Sequence, residues 1–178
     1  QNIHITSSSQ LVALGEVNVL SVMLKAVNGN VEIADSSINA ADLEMISGAG
    51  SISLTNSTIL ADVIKARTMG PGGELLVSNS ILGRDTPSAS SLIKLYGEGA
   101  SGARFVGDST LNAVNVDIAG RTVTIENGSK VRLSHPAGTR VFSDTANFNN
   151  GGIHGDFTDK GGAPVSVTKD IFDHRPAY

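Results

Sequence analysis

Cysteine and tryptophan are both absent from the 178 residues. The first absence excludes disulfides and thiolate metal sites, so stability must come from packing and backbone hydrogen bonds. Aromatic residues make up 4% of the chain and charged residues 17%, below the roughly 25% charged content usual in soluble domains. Ser, Thr, Asn and Gly fill that gap. The formal net charge of −4 gives no basic field for nucleic acid or anionic lipid. No apolar run approaches the roughly 20 residues a membrane helix needs, so membrane insertion of this segment is not expected. The polar opening Gln1-Asn2-Ile3-His4 does not resemble a signal peptide, and the chain reads as a mature or excised fragment.

What is present is the strand period. Apolar residues alternate with polar ones in Ile3-His4-Ile5, Val17-Asn18-Val19, Val31-Glu32-Ile33, Ile52-Ser53-Leu54, Val114-Asn115-Val116-Asp117-Ile118, Val123-Thr124-Ile125 and Val131-Arg132-Leu133. Residues 40–46 and 60–66 alone have a helical look, and both stretches are short and followed by Gly48 or Gly70.

A drifting internal repeat organises these strands. Asp35-Ser36-Ser37-Ile38-Asn39-Ala40 recurs as Asn56-Ser57-Thr58-Ile59-Leu60-Ala61 and as Asp108-Ser109-Thr110-Leu111-Asn112-Ala113, with weaker copies at Ser78-Asn79-Ser80-Ile81 and Asn127-Gly128-Ser129-Lys130-Val131. Spacings of 21, 23, 29 and 19 residues between the Asx positions (35, 56, 79, 108, 127) are those of a solenoid with insertions. Asn and Asp tolerate left-handed backbone angles and bond their own backbone, so they suit sharp corners between strands. The Ser that follows can bond the turn or stack on the next coil. A lone coil buries too little to hold itself, so coils must share one core. The expectation is an all-β, single-stranded right-handed parallel β-helix of about six or seven coils, with Ile33, Leu54 and Ile125 pointing inward.

Two insertions interrupt the rhythm: the turn-like Met69-Gly70-Pro71-Gly72-Gly73, and the loop from Gly83 to Ser91, where Arg84 and Asp85 are candidate ligand contacts. After residue 140 the pattern becomes aperiodic and Phe-rich. Residues 1–140 are therefore assigned to coils and 141–178 to a C-terminal cap on the same domain. Phe148, Phe157 and Phe172 would cover exposed core, with Asp170, Asp173, His174 and Arg175 in solvent; Tyr178 adds to the aromatic content that argues against a disordered tail.

The units "GNVEIADSSINA", "GSISLTNSTILA" and "GARFVGDSTLNAVNVDIAG" resemble coils of filamentous-haemagglutinin-type adhesins and autotransporter passengers, over roughly residues 1–135. The resemblance implies a secreted or cell-surface bacterial β-helix with adhesive or scaffolding roles. It carries over no functional residue.

Other motifs have bland explanations. Gly97-Glu98-Gly99-Ala100-Ser101-Gly102 matches G-x-G-x-x-G, with acidic Asp117 twenty residues beyond Gly97. A strand-like segment follows it where a dinucleotide site needs a helix N-terminus. Gly151-Gly152-Ile153-His154-Gly155-Asp156 resembles one calcium nonapeptide, but such sites need stacked copies. Asn56-Ser57-Thr58 and Asn127-Gly128-Ser129 are formal glycosylation sequons that the repeat corners already explain. Asp170, Asp173 and His174 lack a further ligand, and His4, His135 and His154 stand apart. Glu32, Glu44, Lys65, Lys94, Arg104, Asp117 and Arg132 are scattered outward charges.

No catalytic residue, metal site or cofactor is therefore expected. The reading is a non-catalytic structural or adhesive module of a bacterial secreted or cell-surface protein, with extracellular or cell-surface polysaccharide or protein as partner. The alternatives are a carbohydrate-binding or polysaccharide-active β-helix, similar to pectate lyases, and a self-assembling β-helix scaffold.

Overall fold

The computed structural model describes residues 2–6, 17–148 and 157–178, with side chains described from residue 21 to 145 and from 157 onward. It is a parallel β-solenoid of about six turns, with three strands to a coil. Strand β1 (Asn2–Thr6) precedes the first complete coil. In that coil β2 (Val17–Ala26) serves two faces and β3 (Val31–Ala34) the third. The next coil repeats this with β4 (Ser37–Ser47) and β5 (Ile52–Thr55). Four coils of separate strands follow. They are β6 (Thr58–Leu60), β7 (Val63–Thr68) and β8 (Glu74–Ser78); β9 (Ile81–Gly83), β10 (Leu92–Gly97) and β11 (Gly102–Val106); β12 (Asp108–Asn112), β13 (Asn115–Gly120) and β14 (Thr122–Ile125); and β15 (Lys130–Leu133), β16 (Thr139–Phe142) and β17 (Thr145–Phe148). A further coil begins with β18 (Phe157–Asp159) and β19 (Thr168–Asp170).

Each strand pairs in parallel with its equivalent one coil away, so like stacks on like. Ile33, Leu54, Val77, Phe105 and Ile125 occupy one register column, and none is more than 1% exposed. Leu43, Ile64, Ile93 and Val116 form a second such column, and Met45, Ala66, Leu95, Ile118 and Val141 a third. The inward direction expected of Ile33, Leu54 and Ile125 is the one observed. Residues 40–46 lie inside β4, and residues 60–66 end β6 and open β7, so neither stretch is helical.

The corners explain the repeat. Asp35, Asn56 and Asn79 have φ of 49°, 49° and 46°, the left-handed angles expected of the Asx positions. In the next coil Gly107 takes that angle (φ 67°), and after it Gly128 (φ 80°), not Asp108 or Asn127. Counting from Asx to Asx is thus one residue late in the first of these coils and one residue early in the second, because a glycine without Cβ enters the left-handed region more readily. Beside the corner runs a buried serine ladder. Ser36 N–H donates to Ser57 Oγ at 3.3 Å, Ser57 N–H to Ser80 Oγ at 3.1 Å and Ser80 N–H to Ser109 Oγ at 3.3 Å. The Ser57 and Ser80 hydroxyls in turn donate to the carbonyls two residues back, at 2.7 and 2.8 Å. Asn56 Nδ2 donates to Asp35 Oδ1 at 3.1 Å in an adjacent Asx stack. Asn56 and Ser57 of the first sequon are engaged in these ladders.

The ladder continues beyond residue 140, where the sequence rhythm stops. β17 pairs with β14, β18 with β15 and β19 with β16. Beyond β18 an antiparallel hairpin interrupts the parallel pattern before β19 resumes it. Asp159 N–H donates to Ala163 O at 2.9 Å, Val165 N–H donates to Phe157 O at 3.0 Å, and Thr158 bridges antiparallel to Pro164. Proline lacks the N–H that another strand would need. The last eight residues do something the sequence did not suggest. They turn back and run along the side of the stack, across the outer face built by β16, β13, β10, β7 and β4.

Candidate functional site

That outer face and the C-terminal strap, residues 171–178, form the most elaborate surface among the described residues. Outward side chains on successive strands line up in columns, because strands in register repeat every coil. One column runs Glu44, Lys65, Lys94, Asp117, Arg140, and its neighbour Ile46, Arg67, Tyr96, Ala119, Phe142. The strap lies on the second column. Phe172, 3% exposed, packs with Phe142, Ala119 and Tyr96, and the Arg175 guanidinium stacks 3.9 Å from its ring centroid. Tyr96 Oη donates to Pro176 O at 3.0 Å, and Lys94 Nζ donates to Ala177 O. Tyr178 meets the Tyr96 ring edge-on at 5.7 Å, carries the Arg67 and Lys65 cations at 5.5 and 5.7 Å, and donates through Oη to Met45 O at 3.3 Å. Glu98 holds Arg67 on one oxygen at 2.9 Å and Arg175 on the other at 3.0 Å. Beneath the strap remains a cleft of about 440 Å³, walled by Arg67, Tyr96, Glu98 and Arg175.

Burial pushes both tyrosine phenols well above their ordinary range, with Asp117 adding to Tyr96 and Glu44 to Tyr178. Burial lowers the Lys94 ammonium, with Lys65 and Arg140 adding repulsion and Asp117 opposing it. The two phenols are therefore held in the neutral state that donates, Tyr96 to the strap and Tyr178 from the strap to Met45, while the Lys94 ammonium is held less firmly than in water.

Of the scattered charges of the sequence, Arg104, Asp117 and Arg132 turn out to be paired along the stack. Arg104 sits between Glu74, at 2.7 Å, and Glu126 one coil on the other side. Arg132 reaches Asp108 at 2.7 Å. Arg140 lies bidentate on Asp117, through Nε at 2.8 Å and Nη2 at 3.0 Å, and the Asp117 carboxylate is buried. Spacings of 22 to 31 residues hide these partnerships from any local reading.

The candidate residues of the inserted loop are brought to different partners. Arg84 donates from Nη2 to Ala40 O at 2.8 Å and pairs with Asp62 at 3.5 Å, so it fastens the loop to the stack. Asp85, 93% exposed, accepts from Asn112 Nδ2 at 3.4 Å and stands 3.9 Å from Lys160. Of the C-terminal cluster, Asp170 meets His174 at 2.9 Å in solvent, while Arg175 is drawn into the strap contact. Among the described residues no group of three His, Cys, Asp or Glu side chains could hold a metal ion. Residues 151–156, with the calcium-like motif, and the side chain of His4 lie outside the described ones.

The G-x-G-x-x-G stretch is a corner. Residues 98–101 turn between β10 and β11 with no helix after them. A Cβ on Gly99 would strike Gly73 O, and one on Gly102 (φ 67°) would strike Thr122 O. Close stacking of coils, not a pyrophosphate, requires these glycines. No protein-family model, curated protein or solved structure matches the chain.

Proposed function

We propose that the chain is a non-catalytic structural or adhesive module of a bacterial secreted or cell-surface protein. The supporting observation is where its chemistry-bearing side chains go. Arg104, Arg132, Arg140, Arg67 and Arg175 are all spent on carboxylates of neighbouring coils or on the strap. Such groups brace a rod and leave its flat faces to make contacts. The hairpin over β18 fits a rod that ends, since an uncovered parallel edge recruits another chain. The secreted and bacterial parts of the proposal rest on the likeness of the coils to haemagglutinin-type adhesins.

Two measurements test it. Beads coated with the chain should adhere to extracellular polysaccharide or protein surfaces above the level of blocked beads. Incubation with polyuronates and neutral polysaccharides, with and without calcium, should release no new chain ends. Steady release of ends would make the polysaccharide-active alternative the better one, and absence of all adhesion would leave only a scaffold.

A further inference from the structure

The outer face that carries the strap continues beyond it. Past Tyr178 lies an open groove of about 350 Å³, lined by Ser21, Met23, Asp42, Glu44, Val63 and Lys65. These six form a grid of three coils by two columns, with Ser21, Asp42 and Val63 in one column and Met23, Glu44 and Lys65 in the other. Neighbours in the grid are about 4.8 Å apart across strands and about 6.8 Å apart along them. Among the described residues Asp42 and Glu44, two apart on β4, find no hydrogen-bond or ion-pair partner, whereas Glu74, Glu98, Asp108, Asp117, Glu126 and Asp144 are all paired. Lys65 lies in register with Glu44, yet its ammonium is turned to the Tyr178 ring.

We infer that this groove docks an extended basic peptide segment of a partner protein. The strap shows how the face takes a chain. After a single 3-10 turn at Phe172–His174 it crosses the strands, gives main-chain carbonyls to Tyr96 and Lys94, seats rings on the second column and places its arginine on a carboxylate, Glu98. The open groove offers the same chemistry of a carboxylate for a cation, here with two carboxylates, and Met23 and Val63 for the stems of long side chains. Both carboxylates lie on β4 two residues apart, so a segment laid along that strand, at right angles to the path of the strap, would meet both with arginine or lysine at alternate positions, since alternate side chains share a face.

This inference rests on the reading of the chain as a binding module and names its docking site. The test uses the full chain and a fluorescent peptide of alternating arginine and alanine, with its glutamate counterpart and cellohexaose as the other arms. The basic peptide should bind saturably, weaken as salt rises, and bind about tenfold more weakly to the Asp42→Asn/Glu44→Gln double variant. A charge-matched variant elsewhere, Asp85→Asn/Asp173→Asn, should bind like the parent, which separates docking from general attraction to an acidic protein. Equal loss in both double variants, no saturable binding, or binding of cellohexaose in place of the peptide would overturn it. Should the groove variants keep the adhesion of coated beads while losing nothing else, the module reading stands and the groove assignment falls.

Discussion

Arg140 closes a bidentate fork on the carboxylate of Asp117, a group 1% exposed on the outer face of β13. The carboxylate has left water, so its partner matters more than an exposed ion pair would suggest. Removing one member of a fully buried pair costs about 3–5 kcal/mol. Arg140 is about half exposed, which discounts that figure. Arg140→Ala should therefore lower stability by about 2 kcal/mol in denaturant unfolding, and Asp117→Asn in the same background should recover part of the loss.

The serine ladder makes a sharper expectation. Ser57 Oγ accepts from Ser36 N–H and donates to Thr55 O, and the residue is 1% exposed. Alanine there strands a buried N–H, at a cost of about 1–3 kcal/mol. The exposed neighbour Asn56→Ala loses a left-handed residue and one surface hydrogen bond, whereas Asn56→Gly should be close to neutral. Equal behaviour of alanine and glycine at position 56 would show that backbone conformation does not govern that corner.

Gly102 combines a left-handed φ with the Thr122 carbonyl in the place a Cβ would take. Gly102→Ala should cost about 2–5 kcal/mol. If this stretch held a dinucleotide, NAD would raise the melting temperature of the parent protein. No such shift is expected in calorimetry.

The two tyrosines, the whole complement of the chain, both sit at the strap. Their phenols are raised above the ordinary value of about 10. The folded state thus favours the neutral phenol over the phenolate more strongly than the unfolded chain does. The stabilisation this brings is complete below pH about 10 and is lost as pH climbs past it toward the folded values. Phenolate absorbance should therefore appear above the usual range and together with strap release. In Phe172→Ala, with about 3 kcal/mol less packing energy, it should appear at lower pH. Two phenols titrating normally in the parent would mean that the strap is not docked.

Deleting residues 157–178 removes the hairpin and the strap together. It uncovers the edges of β15 and β16 and the ring of Tyr96. Light scattering should show concentration-dependent oligomers, and the melting temperature should fall. A truncated chain that stays monodisperse and equally stable would show that the end needs no cover.

The stack itself was legible because its physics is local. Alternation at Ile33, Leu54 and Ile125 reports which way a strand faces, and an Asx-Ser pair reports a corner. Even there the reading slipped at Gly107, since an alignment anchored on Asx overlooks the residue best suited to the angle. The lateral face was not legible. Tyr178 finds Met45 across 133 positions, and Glu98 finds Arg175 across 77. No periodicity announces contacts of that range. Of the tail's phenylalanines, Phe157 packs into the core of the stack and Phe172 against its side, a difference that composition cannot express.

The strap also changes how the rod should answer to force. Coils held only by their neighbours can be peeled away one at a time from a free end, each at a small cost. Here the segment leaving the last coil is fastened at Phe142, Tyr96 and Met45, over several coils back toward the other end. Tension on the C-terminal side must first slide or break a row of contacts loaded together before any strand can unzip. The last coils are thereby tied to coils well behind them, so force applied on that side is shared among several turns of the stack.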